Sequence, residues 1–530
     1  DMLGEGARTQ KDADRYFDNY LAAIQTVGNA STASHLFDGH NISVKLSALH
    51  PRFWESHRET CLPALKKKVL ALAMKARRFN IGMSLDAEEC ARLELTMDVF
   101  EWLCELPELE DWQGLGFVLQ AYQKRALEVA EWLIALAQSR PTGIMVRLVK
   151  GAYWDAEIKI AQQRGLTDYP VFTRKSHTDL SYEACMRTLL ACPDIYCQFA
   201  THNALTIAQI REAAGECGRP FEFQKLHGMG DLLYALLEEQ DPSLRVRTYA
   251  PVGQHEDLLP YLVRRLLENG ANSSFVNRFL DADLPVSELV SDPLNTLNSD
   301  ATSSLSQIPL PRNIFQGSDI PWLSSAGFDL DERTTGIKFE TANFQMTELS
   351  SDSSQRPECE TDMTENSTGD LRSSTSPADS SVVGQYSEAT QADVIAAIER
   401  ARNSLPDWSS RCVTERAAIL KRAAELFEAR TAEFTSLIAK EAGRTLNDGL
   451  DEVREAVDFC RYYAAQATSL MYSELELPGI TGETNRLSYA PRGPWLCISP
   501  WNFPLAIFTG QIVANLAVGN TVVALSLIHI

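Results

Sequence analysis

The strongest constraint on the fold is an alternation of short apolar runs with stretches of helical periodicity. Runs of this length are typical of strands buried on both faces, and the helical stretches between them are typical of β/α units. We interpret residues 1–3 as the end of a truncated first strand, which gives eight units over residues 1–295 and predicts a (β/α)8 barrel. The runs cover residues 42–46, 81–85, 115–119, 144–149, 195–200, 221–226 and 246–249, and the helical stretches include 62–78, 93–106, 126–138 and 180–190.

Polar side chains stand at or near the carboxyl ends of these predicted strands. In (β/α)8 barrels the active site is built at that end, from several strands at once. Because the polar residues come from seven different strands, the pattern predicts a functional site at this end of the barrel. The residues are Lys45, Asp86, Gln120, Arg147, Lys150, Thr201, His202, Asn203, Gln224, His227 and Tyr249.

A predicted amphipathic helix after the last strand contains the pair Arg264-Arg265, followed by Glu268. One interpretation is a solvated helix face with an Arg–Glu ion pair, worth roughly 0.2–0.5 kcal/mol. The other is a clamp for a small anionic substrate, because a guanidinium binds a carboxylate in bidentate fashion and stays charged. The helix alone favours the solvated face, whereas the strand ends before it favour the clamp.

A metal site is the main rival to an anion site at the strand ends. His202, His227, His255 and Asp86 are potential ligands, which keeps a barrel metallohydrolase as an alternative enzyme. No H-x-H or H-E-x-x-H pattern is present, and the predicted cations at the strand ends would repel a metal ion. A third hypothesis is a truncated chain without activity. The cations suit an anionic cofactor and substrate, and no G-x-G-x-x-G motif supports a Rossmann-type site in this half.

Composition and charge limit the classes of function and the cellular compartments that remain. The formal net charge of −22 argues against a nucleic-acid-binding surface. The eleven cysteines show no C-x-x-C pair or zinc spacing, as expected of reduced thiols in the cytoplasm. No signal peptide is recognisable, and because the sequence starts at Asp1 we expect a fragment of a longer protein.

Ten sequence blocks of the first half, in order, resemble the proline dehydrogenase domain of proline utilisation A, a bifunctional bacterial flavoenzyme. The ten blocks are DMLGE (1–5), SVKLSALHPRF (43–53), LDAEE (85–89), GFVLQAYQKR (116–125), MVRLVKGAYWDAEIK (145–159), YPVFTRK (169–175), QFATHNA (198–204), FQKLHGMG (223–230), YAPVG (249–253) and YLVRRLLENGANSSFVNR (261–278).

The resemblance implies oxidation of L-proline to 1-pyrroline-5-carboxylate with FAD at the barrel mouth. It assigns the substrate carboxylate to Arg264, Arg265 and Lys45, packing on the pyrrolidine ring to Tyr249, and support of the cations to Asp86. It also implies a quinone acceptor, a homo-oligomer in the full-length family, and a place in the cytoplasm or at the periphery of the bacterial inner membrane. The implied FAD contacts are Gln120, Arg147, Val149, Lys150, Gly151, Ala152, Trp154, Thr173, Arg174, Lys175, Thr201, His202, Asn203, Gln224, Leu226, Glu268 and Ser274.

The second half is predicted to contain a connector, residues 296–385, and a second domain, residues 386–530. Residues 347–380 carry eight acidic and two basic residues among many serines and threonines, which is typical of a flexible linker. Residues 389–472 have strong helical periodicity. The apolar stretch 505–525 is interrupted by polar residues, so it predicts a buried helix and a Rossmann strand rather than a membrane span.

Residues 491–524 resemble the aldehyde dehydrogenase superfamily, which implies NAD as a second cofactor. By that resemblance Asn502 is the amide of an oxyanion hole and Trp501 contacts the nicotinamide cofactor. The likeness stops at residues 525–530, where Leu525 stands in place of an expected lysine. We therefore expect an aberrant tail, an incomplete NAD site and no aldehyde dehydrogenase activity in this chain.

Overall fold

The structure of the protein, a computed structural model, describes residues 2–255, 258–270, 308–335, 339 and 370–526. The chain divides into two compact units. The first comprises Asp1–Ile160 and Tyr169–Ile308, and the second comprises Ala161–Asp168 and Pro309–Ile530. The boundary predicted at residue 295 lies outside the described residues.

The first unit contains, among its described residues, a seven-stranded parallel sheet in which strands adjacent in sequence are adjacent in the sheet. This order, with helices between the strands, is that of a (β/α) barrel. The eighth predicted strand is represented by one parallel bridge, between Met2 and Val252 beside the last strand. The strands are β1 (Asn41–Val44), β2 (Gly82–Leu85), β3 (Leu115–Gln120), β4 (Ile144–Val149), β5 (Ile195–Ala200), β6 (Phe221–Leu226) and β7 (Val246–Tyr249).

The two ends of this sheet are brought together by Arg247 on β7. Its guanidinium donates to the carbonyl oxygens of Gly39 and Phe37, in the segment immediately before β1. The same guanidinium is neutralised by the buried carboxylate of Glu222 on β6, at 2.8 Å. The sheet therefore curls so that its first and last strands approach each other, as the barrel prediction requires.

Helices follow the strands in the predicted alternation. The first helix starts with a capping box, in which Thr9 accepts from the backbone of Asp12 and the Asp12 carboxylate accepts from that of Thr9. The helices are α1 (Gln10–Ala30), α2 (Arg58–Arg78), α3 (Leu93–Glu105), α4 (Ala126–Ser139), α5 (Trp154–Arg164), α6 (Lys175–Ala191), α7 (Ala204–Cys217), α8 (Asp231–Gln240) and α9 (Leu259–Gly270).

The second unit is built on a helical layer and a parallel strand pair. The last helix lies between the two strands of this pair in the chain and packs on both, which confirms the predicted buried helix and strand. Within the described part of the chain, no helix is long and apolar enough to cross a membrane. The helices are α10 (Gln391–Ser410), α11 (Val413–Ala429), α12 (Thr431–Ala442), α13 (Leu446–Met471) and α14 (Ala506–Ala517), and the strands are β8 (Leu371–Thr375), β9 (Val382–Ser387), β10 (Leu475–Leu477), β11 (Asn485–Leu487), β12 (Pro494–Ser499) and β13 (Thr521–Ser526).

The predicted connector is more structured than expected. Strands β8 and β9 form an antiparallel hairpin, so the prediction of a flexible linker through residue 380 is wrong from residue 371 onward. The predicted end of the connector, at residue 385, falls within β9. A polar composition still forms a hairpin when each strand supplies the other's backbone hydrogen bonds. Upstream, Phe315 stacks on Trp322 at 4.6 Å, which shows local packing within the predicted connector.

Candidate active site at the strand ends

Four of the predicted site residues form one polar cluster at the carboxyl ends of the parallel strands, here called the strand-end cluster: Lys45, Asp86, Arg147 and Tyr249. Asp86, which follows β2, lies at its centre. Its Oδ2 accepts from Lys45 Nζ at 3.0 Å and from the Tyr249 hydroxyl at 3.1 Å. Its Oδ1 accepts from Arg147 Nη1 at 2.9 Å. Residues that are far apart in sequence therefore meet because parallel strands end at the same side of the barrel.

The electrostatics of this cluster follow from burial and pairing. Burial alone would raise the pKa of Asp86, but the charges of Lys45 and Arg147 outweigh it and lower that pKa to about 2. Burial opposes the charge of Lys45, yet the neighbouring Asp86 carboxylate raises the pKa of its ammonium well above the usual value. Burial also raises the pKa of the Tyr249 phenol. At neutral pH the cluster consists of a carboxylate, two cations and a neutral phenol.

Neighbouring groups fix the cluster in place. Arg147 Nη2 donates to the Ser43 hydroxyl of β1 at 2.7 Å, and its guanidinium carbon lies 5.2 Å from the centre of the Tyr249 ring. The backbone N–H of Lys45 donates to the hydroxyl of Tyr20 on α1 at 3.1 Å. These contacts leave the cations little rotational freedom, which is a requirement for orienting a small anion.

Helix α9 places Arg264 and Arg265 differently from one another. Arg264 forms a bidentate ion pair with Glu5, with Nη2 to Oε2 at 3.0 Å, and its guanidinium lies 5.5 Å from the Tyr153 ring centre. Arg265 lies over the ring of Tyr261 at 5.3 Å. The side chain of Glu268 and the whole of Ser274 lie outside the part of the chain that the structure describes. The partner of Arg264 is therefore Glu5, which lies 259 positions earlier in the sequence. The spacing of residues within the helix could not reveal this pair.

A second set of cations combines Lys150, in the loop after β4, with Lys175, the first residue of α6. Both lysines bind the carboxylate of Asp179, and Lys175 does so at 2.5 Å. Gly151 has φ +142°, and a Cβ at this position would lie 2.4 Å from the ring of Tyr122. The backbone can therefore expose N–H groups here only because the residue is glycine, a geometry suited to phosphate.

The other residues of this loop form a hydrogen-bonded frame. Trp154 Nε1 donates to the Phe172 carbonyl at 2.9 Å. The Gln120 side chain accepts from Ala152 N at 3.4 Å and donates to the Glu88 carbonyl at 2.8 Å. Of the remaining predicted residues here, Val149 pairs with Gln120 in the sheet, Thr173 is half-buried between β4 and α6, and Arg174 is the residue before α6.

At the ends of β5 and β6 the predicted residues have clear structural partners. Asn203 caps α7, because its Oδ1 accepts from the first N–H groups of the helix at 3.0 and 3.2 Å. His202 Nε2 accepts from the Leu226 N–H at 3.1 Å, and burial lowers its pKa to about 4. The Thr201 carbonyl accepts from the Tyr234 hydroxyl, and Gln224 donates to Glu222.

The metal hypothesis finds no matching arrangement of ligands. Among the described residues, no group of three or more His, Cys, Asp or Glu side chains is close enough to hold an ion. Of the four suggested ligands, Asp86 is held by two cations, and His202 accepts a backbone hydrogen bond through Nε2.

In the second unit, Trp501 and Asn502 follow β12 in an exposed turn. The Asn502 carbonyl accepts from Arg444 Nη1 at 2.6 Å, and 57% of Trp501 is accessible to solvent. Cys497, on β12, is 4% exposed and lies against α14, with Sγ 3.6 Å from the Gln511 carbonyl. Burial raises the pKa of its thiol. The turn therefore presents an amide to solvent, and the thiol nearest in sequence faces the interior.

The chain is similar to known proteins in two ways: some relatives match almost all of it, and others match only its second half. The bifunctional protein PutA of Salmonella typhimurium is 46% identical over 540 residues, covering 99% of this chain and 39% of that protein. A crystal structure of Bradyrhizobium japonicum proline utilization A, 46% identical, superimposes with a TM-score of 0.87 over 99% of this chain and 50% of its own. The 1-pyrroline-5-carboxylate dehydrogenase 2 of Bacillus subtilis is 40% identical over 151 residues, which are 28% of this chain and 29% of that protein.

Two family matches agree with this division. The aldehyde dehydrogenase family matches residues 363–525, which include β8, the strand found inside the predicted linker. The proline dehydrogenase family matches residues 1–278 and therefore more than half of the chain. The chain accordingly belongs to the proline dehydrogenase family, in which it resembles the bifunctional PutA proteins by continuing into an aldehyde dehydrogenase segment.

Proposed function

We propose that the strand-end cluster of the first unit catalyses the FAD-dependent oxidation of L-proline to 1-pyrroline-5-carboxylate. The observation that carries the proposal is the strand-end cluster itself, in which Asp86 holds Lys45 at 3.0 Å and Arg147 at 2.9 Å. On α9, the guanidinium of Arg264 lies 5.5 Å from the centre of the Tyr153 ring. A fixed set of cations at the carboxyl ends of the strands suits recognition of an amino-acid carboxylate.

The residues around Gly151 fit an FAD group. A diphosphate needs cations and exposed backbone N–H groups, and Lys150, Lys175 and the glycine at φ +142° supply them. The Tyr122 hydroxyl beneath this glycine is buried and, among the described residues, has no hydrogen-bond partner. Lys150, Arg174 and Lys175 would hold the diphosphate, and Gln120 and Trp154 would border the ring system.

Bound FAD supplies an acceptor for the two electrons and one proton that leave the substrate as a hydride. The chain's own residues would bind the substrate, orient it and enclose it. Arg264, Arg265 and Lys45 would hold the carboxylate, which directs the ring carbon beside the nitrogen away from the cations. The Tyr249 ring would pack on the pyrrolidine and exclude water, because its hydroxyl is already bound by Asp86. The second proton leaves from the substrate nitrogen, and no protein nucleophile is required.

The test is spectroscopic. The purified 530-residue chain should be yellow, and its flavin absorbance should be bleached by L-proline under anaerobic conditions. The product should be trapped as 1-pyrroline-5-carboxylate. Arg264→Met should weaken the bleaching, whereas Arg219→Met, at an exposed arginine after α7, should not. A colourless protein that fails to bind added FAD would contradict the proposal, and hydrolytic activity that depends on a bound metal would favour the metallohydrolase.

The electron acceptor and location are part of the same proposal. A quinone would reoxidise the flavin, and a quinone acceptor is consistent with peripheral association at the bacterial inner membrane from the cytoplasm. The net charge of −22 supports no nucleic-acid partner. Reduction of a soluble quinone analogue by proline, and sedimentation of the protein with vesicles in the presence of proline, test these two points separately.

For the second unit we propose no NAD-dependent aldehyde oxidation by this chain. An oxyanion-hole amide such as Asn502 stabilises a charge that only a nucleophile's attack creates. Cys497 is unsuited to that attack, since its thiol is buried against α14. Leu525 also stands where a cofactor-binding lysine is expected. NADH formation from 1-pyrroline-5-carboxylate would contradict this part of the proposal.

A further inference from the structure

The short segment around Glu5 is fastened to the loop after β1 by a single residue, Ser47. The Ser47 hydroxyl accepts from the Gly6 N–H at 3.0 Å, and the Ser47 carbonyl accepts from the Ala7 N–H at 2.8 Å. Both bonds lie directly after Glu5 in the chain. The position of the Glu5 carboxylate therefore depends on where Ser47 holds the backbone that follows it.

The same segment is fastened on the other side of Glu5. The Leu3 N–H donates to the Val252 carbonyl at 2.7 Å, just beyond β7. Gly4 adopts φ +116°, and a Cβ there would lie 2.2 Å from the Tyr16 ring. Glu5 is thus at the centre of a short backbone arch with two fixed ends. A small displacement of either end would move its carboxylate relative to α9.

Ser47 is itself held by a buried carboxylate outside the strand-end cluster. Glu88 accepts from the Ser47 N–H at 3.0 Å through Oε1 and from the Ser47 hydroxyl through Oε2. Arg92 Nη1 neutralises Glu88 at 2.9 Å, and the guanidinium of Arg92 stacks 4.7 Å from the centre of the Trp54 ring. Glu88 is 6% exposed and Ser47 is 1% exposed, so solvent cannot replace these bonds.

These contacts run from Arg92 through Glu88 and Ser47 to the backbone of Gly6 and Ala7, directly after Glu5, whose carboxylate binds Arg264. The ion pair of Glu5 uses one donor on each terminal nitrogen of the Arg264 guanidinium. Because a guanidinium has five N–H donors, the remaining ones can bind a second carboxylate in a direction that Glu5 determines. We propose that Ser47, held by Glu88, is a positioning residue that orients Arg264 through Glu5 for the substrate carboxylate; this rests on the proposed function.

The test is a double-mutant cycle on the 530-residue chain with Ser47→Ala, Glu5→Gln and the two combined. Each single variant should raise KM for L-proline about tenfold with kcat changed less than twofold, because a charge-assisted bond that orients the bound carboxylate is lost. In the combined variant KM should equal that of Glu5→Gln alone. Ser139→Ala, at an exposed serine that ends α4, should leave KM unchanged.

The outcomes are distinguishable from a failure of the proposed function. A parent chain whose flavin is not reduced by proline overturns that function itself. If the parent chain is active but the KM increases of Ser47→Ala and Glu5→Gln multiply in the combined variant, only the role of Ser47 is overturned. The same holds if Ser47→Ala lowers KM. If Ser47→Ala does not fold, Glu88→Gln gives the same readout, with about a threefold rise in KM that disappears in the Glu5→Gln background. A rise that persists in that background contradicts the proposal.

Discussion

Two groups of polar residues lie at the carboxyl ends of parallel strands in this chain, and they are organised differently. In the first unit, Lys45, Asp86, Arg147 and Tyr249 come from or directly after four strands and are joined by hydrogen bonds of 2.9 to 3.1 Å. In the second unit, Trp501 and Asn502 follow one strand, β12, and are exposed.

The difference shows what makes a strand end into a site. Where several strands converge, their polar groups are withdrawn from water and must satisfy one another, so their geometry and charge are fixed. Where the polar residues follow a single strand and stay exposed, solvent satisfies their side chains, and these side chains do not fix one another's orientation. The first group therefore supports a mechanistic proposal, whereas the second supports only a family resemblance.

The largest effect is expected from Asp86→Asn, which would leave two buried cations without their common carboxylate. Removing one partner of a buried ion pair costs about 3–5 kcal/mol, so the first unit should lose that much free energy of unfolding. Urea unfolding followed by flavin fluorescence measures it. Asn502→Ala, at the exposed strand end, should change stability by less than about 0.5 kcal/mol. Equal losses in the two variants would remove the distinction between the sites.

The next largest effect concerns substrate binding by α9. Arg264→Met and Arg265→Met should each raise KM for L-proline and lower kcat/KM by roughly ten- to a hundredfold, because each removes a charge-assisted hydrogen bond. The absorbance of bound flavin should be unchanged. Steady-state assays with a dye acceptor measure both quantities, and Arg219→Met serves as the control. Unchanged proline kinetics in both variants would leave α9 as a purely structural element.

A smaller effect is a pH dependence of stability carried by His202. Its pKa is lowered, to about 4, so the unfolded chain binds the proton more tightly. The contribution of neutral His202 to the free energy of unfolding is therefore fully present above the ordinary histidine pKa of about 6.5. It is lost as the pH falls towards 4. Urea unfolding at pH 7.5 and pH 5 should show a loss for the parent chain that is about 2 kcal/mol greater than for His202→Asn. Identical losses in the two proteins would contradict the prediction.

The smallest effect is expected at Cys497. Its raised pKa and its burial against α14 predict that Cys497→Ser leaves any NADH formation from 1-pyrroline-5-carboxylate unchanged within about twofold. Alkylation by iodoacetamide at neutral pH should be much slower at Cys497 than at the exposed Cys412, and peptide mass spectrometry measures both rates. NADH formation that disappears in Cys497→Ser would show that this thiol is a nucleophile and that the residues around Asn502 form an active site.

Sequence patterns were sufficient for the elements that build the first site. The bounds of β4, β5, β6 and β7 agree with those predicted from the sequence. Strands β4 and β5 are buried along almost their whole length, which requires a largely apolar sequence. The order of the seven strands predicted that Lys45, Asp86, Arg147 and Tyr249 would meet at one end. The strand β8 was missed, because its serine- and threonine-rich sequence gains order only from pairing with β9.

The sequence by itself determined the alternation of strands and helices, the family, and the end of the barrel at which polar residues gather. Only the tertiary structure decided which of those residues bond to one another. It paired Arg264 with Glu5 and fastened the Glu5 segment to Ser47 and Glu88. Periodicity reports the environment of a residue relative to its near neighbours in the chain, whereas an ion pair across 259 positions depends on how the whole sheet curls.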